Sequence, residues 1–186
     1  MTRLTAAIDR RLVLRGLAAL PLAAALSRPL RAAAGSEALL IALADLHSPY
    51  ARLPTILAEI DSIRAAAPGM PVAFLLNGDL FERGNVVALR SGASADWAFV
   101  AALAARGPVV LNIGNHETAI ADDLATTVAR AEGLGVAVIG NVIDRRTGRF
   151  FAPVSARVGL GGLTLGALGL APTNPFVWRA AVRDTL

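Results

Sequence analysis

The sequence predicts an α/β fold built on a parallel β-sheet. Short apolar runs alternate with longer helical stretches, which is the pattern of successive β-α-β units. Three of these runs end in polar side chains, and in open α/β sheets such strand ends are where sites form. The runs and the residues that follow them are Leu39–Ala44 with Asp45-Leu46-His47, Val72–Leu76 with Asn77-Gly78-Asp79, and Val109–Ile113 with Gly114-Asn115-His116-Glu117.

Length and composition fit one domain with a sizeable core. The chain has 186 residues, 55% of them hydrophobic, and a mean hydropathy of +0.56. Residues 1–34 hold six arginines and one aspartate, so the net charge of +4 becomes −1 over the remaining 12 basic and 13 acidic residues. This distribution gives no electrostatic support for nucleic-acid binding. The absence of cysteine excludes disulfides, thiolate metal sites and a cysteine nucleophile.

Residues 1–34 have the features of an export signal. A basic segment ends in Arg10-Arg11, an apolar stretch runs from Leu12 to Leu26, and the small residues before Gly35 predict cleavage after Ala34. The arginine pair resembles the twin-arginine signal of bacterial export, so we expect a periplasmic protein. A membrane anchor or an amphipathic surface helix is the alternative, but the apolar run falls short of the roughly 20 residues that span a bilayer.

Helices are predicted between the strands. An amphipathic helix over Leu53–Ala67 ends at Pro68-Gly69, and a second helix lies within Ala95–Ala105. Asp122 or Asp123 can cap a third helix, which runs to about Glu132. The apolar residues that share one face of the first helix are Leu53, Ile56, Leu57, Ile60 and Ile63.

Beyond a fourth strand at Val136–Ile139, the pattern changes. Arg145–Gly148 is a polar turn, and the runs Val154–Val158 and Leu163–Leu170 predict an antiparallel hairpin joined through Gly159–Gly162. A phosphate-binding loop is the alternative for these glycines, but their spacing fits neither the dinucleotide nor the P-loop pattern.

The polar residues at the strand ends suit a divalent metal site. They combine carboxylate, imidazole and amide oxygen without sulfur, a set that favours Mn, Fe, Co or Zn. Asp45 and His47 stand at i and i+2, so a strand would point both to one side. Asp79 has two carboxylate oxygens and can bridge two ions roughly 3.5–4 Å apart, while Asn115 offers a neutral oxygen.

Each motif also has an ordinary structural interpretation. Asn77-Gly78 is typical of a hairpin turn, Asp45-Leu46-His47 of capping or surface groups, and Gly114-Asn115 of a left-handed turn. Their joint occurrence favours the metal site, because charges at the ends of buried strands cost several kcal/mol unless they are paired or metal-bound. Only Arg83 and Arg90 are cations close in sequence.

The ordered set of motifs resembles the first half of the calcineurin-like metallophosphoesterase superfamily. The three motifs Asp45-x-His47, Gly78-Asp79 and Gly114-Asn115-His116-Glu117 lie about 35 residues apart. Further features of the sequence resemble those of the secreted 5′-nucleotidase branch of this superfamily. They are Glu117 itself, Leu80-Phe81 and Gly84 after the Gly-Asp pair, and Asn141-Val142 after the fourth strand.

The resemblance implies a layered αββα fold, a β-sandwich flanked by helices, of which residues 35–186 form the N-terminal part. It also implies a metal-dependent phosphoester hydrolase of 5′-nucleotidase type, in which a metal-activated hydroxide attacks a phosphomonoester such as a nucleotide. Two divalent ions (Mn, Zn, Fe or Co) would be the cofactors.

The resemblance assigns a role to each site residue. Asp45 and His47 would bind the first metal, Asp79 would bridge, and Asn115 would bind the second. His116 would be catalytic, stabilising charge on the phosphate or protonating the leaving oxygen. Glu117 would orient His116 or a backbone group.

The chain also departs from the family pattern. The family completes its site with later histidines, whereas this chain has two histidines, neither after residue 116. We therefore expect a truncated sandwich that exposes apolar surface. The alternatives are a non-catalytic remnant that acts as a binding or scaffold module, and a phosphodiesterase.

Overall fold

The computed structural model describes residues 37–186. The export signal predicted at residues 1–34 lies outside these residues. Within the described part of the chain, no helix has both the length and the apolar character needed to cross a bilayer.

A four-stranded parallel sheet forms the centre of the fold, in the order β1-β2-β3-β4. This confirms the mixed α/β class with helices flanking a parallel sheet. The strands are in register, so that Leu43 lies beside Leu76, Leu76 beside Leu111, and Leu111 beside Val138. All four carboxyl ends therefore meet at one edge. The strands are β1 (Leu39–Leu43), β2 (Val72–Asn77), β3 (Val109–Asn112) and β4 (Ala137–Ile139).

Helices occupy the connections between these strands. Helix α1 (Leu53–Ala66) follows β1, α2 (Val86–Ser91) and α3 (Ser94–Ala104) follow β2, and α4 (Leu124–Gly133) follows β3. The Asp123 side chain caps α4 by accepting from the Ala125 N–H. A short helix, α5 (Ala180–Arg183), lies near the end of the chain.

Side chains on β2 and β3, the two central strands of the sheet, are deeply buried in the apolar core. Phe74 and Leu76 on β2, and Val110 and Leu111 on β3, are each at most 2% exposed, as expected for strands covered on both faces. β1 alternates between half-buried and exposed residues, and Leu40 is 46% exposed. β1 therefore has one open face within the described residues.

The predicted buried face of α1 is only partly correct. Leu53 and Ile60 are buried and Ile56 and Leu57 are partly buried, but Ile63 is 39% exposed. The C-terminal half of α1 contacts the loop after α3, where Arg106 forms an ion pair with Asp61 at 2.7 Å. Burial therefore ends one turn earlier than the apolar pattern predicts.

The segment after β4 forms two small antiparallel pairs. β5 (Ile143–Asp144) pairs with β6 (Arg149–Phe150) across the predicted polar turn. β7 (Ser155–Leu160) and β8 (Leu163–Leu168) form the predicted hairpin, with a tighter turn at Gly161-Gly162, both at positive φ.

Apolar side chains are exposed at the end of the hairpin. Leu168 is 67% exposed and Leu170 is 64% exposed. They are the two most exposed leucines among the large apolar residues of the described chain.

Candidate metal centre

The loops after β1 and β2 continue the pairing of the two strands. The backbone N–H groups of Asp45, His47 and Ser48 donate to the carbonyls of Gly78, Asp79 and Leu80, at 3.3, 3.0 and 3.0 Å. These hydrogen bonds fix the two loops against each other, although neither loop is a strand.

The candidate ligands have an unusual backbone conformation. The candidate ligands Asp45, His47 and Asp79, together with the neighbouring Ser48, have φ between 51° and 55°, in the left-handed region. They are four of the five such non-glycine residues within residues 37–186. A non-glycine residue in the left-handed region destabilises the folded state by about 1–3 kcal/mol, and such strain concentrates at functional sites. The prediction that Asp45 and His47 share a strand face is therefore wrong, because β1 ends at Leu43.

Asp45, His47 and Asp79 nevertheless converge. One ligand atom from each lies within 4.8 Å of the others, and the His47 Nε2 is 4.0 Å from the Asp45 Oδ1. Zinc binds such donors at about 2.0–2.2 Å, so donors that share an ion lie about 3–4 Å apart. Two carboxylates and an imidazole at this spacing fit one divalent cation after small side-chain adjustments. Asp79 is also held from the next loop, since its Oδ1 accepts from the His116 N–H at 2.9 Å.

A second group of candidate ligands shares His47 with the first. It consists of His47, Glu82 and His116, again within 4.8 Å of one another. The Glu82 Oε2 lies 3.2 Å from the His47 Nδ1 and 3.6 Å from the His116 Nδ1. The two imidazole rings meet edge to face, with centroids 4.5 Å apart.

Glu82 was not predicted from the sequence. The hydrogen bond from the Gly84 N–H lowers the pKa of Glu82 most, and His116 and His47 lower it further. This carboxylate is therefore ionised at neutral pH. Its sequence signal was slight: it is the first charged residue after Asp79, beyond the buried pair Leu80-Phe81.

Glu117 joins the loops after β2 and β3. Its buried carboxylate accepts from the backbone N–H groups of Asp79 at 3.1 Å, Leu80 at 2.9 Å and Gly114 at 2.6 Å. Burial raises the pKa of Glu117 to about 7, and the three N–H donors oppose that rise. Of the two roles expected for Glu117, the structure shows contact with backbone groups.

Asn115 begins a 3-10 turn, Asn115–Thr118, and Gly114, which precedes it, has φ −100°. Neither Gly114 nor Asn115 has a positive φ, so the alternative of a left-handed turn at Gly114-Asn115 is wrong. The Asn115 Nδ2 donates to the Val177 carbonyl at 3.0 Å. Asn115 and His116 also line a small cavity of about 80 Å³.

Arginines supply positive charge at this cavity. Arg83 and Arg179 line it, and both face Asp122, at 4.0 and 2.6 Å respectively. Arg83 is the less tightly paired of the two, so it is the better candidate to contact an anion. A larger cavity of about 380 Å³ lies elsewhere, between Asn141 and Trp178, and none of the clustered residues line it.

A parallel sheet with carboxylates and imidazoles gathered at its carboxyl edge is typical of metal-dependent α/β hydrolases. The family model for calcineurin-like phosphoesterase matches residues 39–165, more than half of the chain. The chain therefore belongs to the calcineurin-like phosphoesterase family, whose chemistry is metal-dependent phosphoester hydrolysis. Comparison with curated protein sequences gives no match. The superfamily prediction is thus confirmed, and the 5′-nucleotidase branch stays a prediction.

Proposed function

We propose that this chain carries the metal centre of a phosphomonoesterase of 5′-nucleotidase type. The observation that supports it most is the convergence of Asp45, His47 and Asp79 within 4.8 Å, beside the His116 ring. Oxygen and nitrogen donors without sulfur suit two divalent ions of Mn, Zn, Fe or Co. Membership of the calcineurin-like phosphoesterase family supports the same chemistry.

Each donor has a proposed role. Asp45 and His47 would hold the first ion, Asp79 would serve both ions, and Asn115 would offer its amide oxygen to the second ion. When bound, the ions supply Lewis-acid chemistry: they lower the pKa of a coordinated water and withdraw charge from the phosphate. Asp79 also links the loop after β2 to the loop that carries His116, because its carboxylate accepts a hydrogen bond from the His116 N–H.

His116 and the arginines act on the phosphate group. His116 lines the small cavity with Arg83, so a phosphate there would contact an imidazole and a guanidinium. In its doubly protonated form, His116 can give its Nε2 proton to the leaving oxygen, which keeps the departing alcohol neutral, while its Nδ1 proton still faces Glu82. Glu117 keeps this geometry by holding the backbone of the Asp79 and Gly114 loops.

Calorimetric titration with Mn²⁺, Zn²⁺ and Co²⁺ tests the proposal, together with hydrolysis of a nucleoside monophosphate. Asp79→Asn removes the bridging charge, and asparagine tolerates the positive φ of this position. We expect the variant to lose both ions. Asp184→Asn, a change at an exposed residue, is the matched control. Two retained ion equivalents in Asp79→Asn would overturn the bridging role.

A non-catalytic binding module is the second candidate, because Asp45, His47 and Asp79 could hold an ion by themselves. Ion binding without turnover of any phosphoester would support it. Comparison of a nucleoside monophosphate with a phosphodiester separates the 5′-nucleotidase proposal from a phosphodiesterase. Faster turnover of the diester would replace the monoesterase proposal.

A further inference from the structure

We propose that Glu82 is a positioning residue, which holds the protonated Nδ1 of His47 so that the unprotonated Nε2 faces Asp45 and Asp79. The Glu82 carboxylate also favours a proton on the Nδ1 of His116. This inference rests on the proposed function, because it takes His47 as a metal ligand and His116 as the residue beside the phosphate.

The contact distances indicate which ring nitrogen of His47 carries the proton. The Glu82 Oε2 lies 3.2 Å from the His47 Nδ1, which is hydrogen-bond distance. An ionised carboxylate can only accept, so the facing ring nitrogen must donate. In a neutral imidazole the other nitrogen, Nε2, then has a free lone pair. The His47 Nε2 lies 4.0 Å from the Asp45 Oδ1.

His116 has a looser version of the same contact. Its Nδ1 is 3.6 Å from the same Glu82 oxygen, which is ion-pair distance rather than hydrogen-bond distance. The negative charge favours a proton on the nitrogen that faces it. One carboxylate oxygen therefore biases both imidazoles toward the same tautomer.

Glu82 fits this role better than that of a metal ligand. The two candidate groups share His47, and its Nδ1 cannot both donate to Glu82 and coordinate an ion. The 3.2 Å contact suits a direct hydrogen bond, whereas the 4.0 Å separation of His47 Nε2 and Asp45 leaves space for a cation. Histidines that bind metals commonly donate their second N–H to a carboxylate in this way.

Glu82 is itself held in place. Its Oε1 accepts from the Gly84 N–H at 2.7 Å, and its own N–H donates to the Ser48 Oγ at 3.0 Å. Asn85 donates to the Ser48 carbonyl at 2.7 Å, which fixes the residue next to His47. The carboxylate and the imidazole that it orients thus belong to one hydrogen-bonded network.

Nitrogen-15 NMR of the imidazoles in the metal-free protein is the first test. We expect wild-type His47 to carry its proton on Nδ1, and Glu82→Ala to shift it toward Nε2. Calorimetry with Mn²⁺ or Zn²⁺ is the second readout, and we expect about 10- to 100-fold weaker binding with the number of bound ions unchanged. Glu59→Ala, at an exposed position of α1, is the control and should alter neither.

Two results would overturn the proposal. Unchanged tautomers in Glu82→Ala would show that Glu82 does not orient the rings. The loss of one ion equivalent would show that Glu82 is a ligand. If the wild-type protein binds no divalent ion, the proposed function fails, yet the tautomer measurement still decides the role of Glu82. Should Glu82→Ala not fold, Glu82→Gln keeps the side-chain volume but has one acceptor oxygen for both Gly84 and His47, so partial shifts are expected.

Discussion

Gly114 lies in direct contact with Asp79, with no space for a side chain between them. A Cβ at residue 114 would come 2.7 Å from the Asp79 backbone nitrogen and would also overlap its carboxylate. The loop after β2 and the loop after β3 can approach each other this closely only because residue 114 is glycine. The position of a candidate ligand therefore depends on the absence of one methyl group.

Gly114→Ala is expected to lower the free energy of unfolding by about 1–3 kcal/mol, because one of the two loops must move. Urea denaturation measures the change, and metal titration should show weaker binding. Gly133→Ala is the control: nothing lies within 4 Å of the added Cβ and its φ is not positive. Equal stability of the two variants would contradict the close contact.

Glu117→Gln should also destabilise the protein. The carboxylate accepts three backbone N–H groups, whereas glutamine has one acceptor oxygen and directs an NH₂ group at the remaining donors. An unsatisfied buried donor costs about 1–3 kcal/mol, and we expect a loss in that range in chemical denaturation. Glu132→Gln, at an exposed position of α4, should have an effect within experimental error.

Arg83→Ala tests the phosphate side of the site. Arg83 lines the small cavity beside His116 and is paired only at 4.0 Å with Asp122. If it contacts the phosphate, its loss should raise KM about tenfold, as expected for one charge-assisted contact worth roughly 1.5 kcal/mol, without changing ion stoichiometry. Arg90→Ala is the control, since Arg90 is exposed and forms no ion pair within residues 37–186. A KM as unaffected as that of the control would exclude Arg83 from substrate binding.

Asp96 predicts a specific dependence of stability on pH. It is 1% exposed, neither carboxylate oxygen has a hydrogen-bond partner in the described structure, and burial raises its pKa, with the nearby Ser48 hydroxyl opposing that rise. The folded protein thus binds this proton more tightly than the unfolded chain. Its contribution to stability is present below the ordinary aspartate pKa of about 3.9 and is lost as the pH rises through the raised value.

Asp96→Asn removes this titration. We expect the variant to gain stability relative to the wild type as the pH rises toward neutrality, and the difference to shrink toward pH 3. Denaturation curves across that range measure it. A difference that does not vary with pH would mean that Asp96 is not titrating in the folded protein.

The strand ends show what the sequence could predict about the site. Apolar runs ending at Asp45, Asn77 and Gly114 predict buried parallel strands, and in-register strands bring their carboxyl ends to one edge of the sheet. The polar motifs at that edge were therefore available from the sequence alone. The left-handed backbone of Asp45 and His47 was not, because it depends on pairing with the loop after β2.

Helix α2 and Glu82 escaped prediction for similar reasons. α2 has six residues, and its apolar side chains Val86, Val87 and Leu89 are exposed, so it has no amphipathic pattern. Only the cap at Asn85 marks its start. Glu82 acquires its role from histidines 35 residues before it and 34 residues after it, a proximity that no local pattern encodes.

The strand register also determines when the centre can form during folding. Leu39 pairs with Val72 and Phe74 pairs with Val109, so each pairing joins segments more than thirty residues apart and closes a loop with a substantial entropic cost. Non-local pairings of this kind slow folding. Asp45, Asp79 and Gly114 meet only after both closures, so a partly folded chain would lack the assembled centre. Ion uptake would then be a late event in refolding, and its rate would report completion of the sheet.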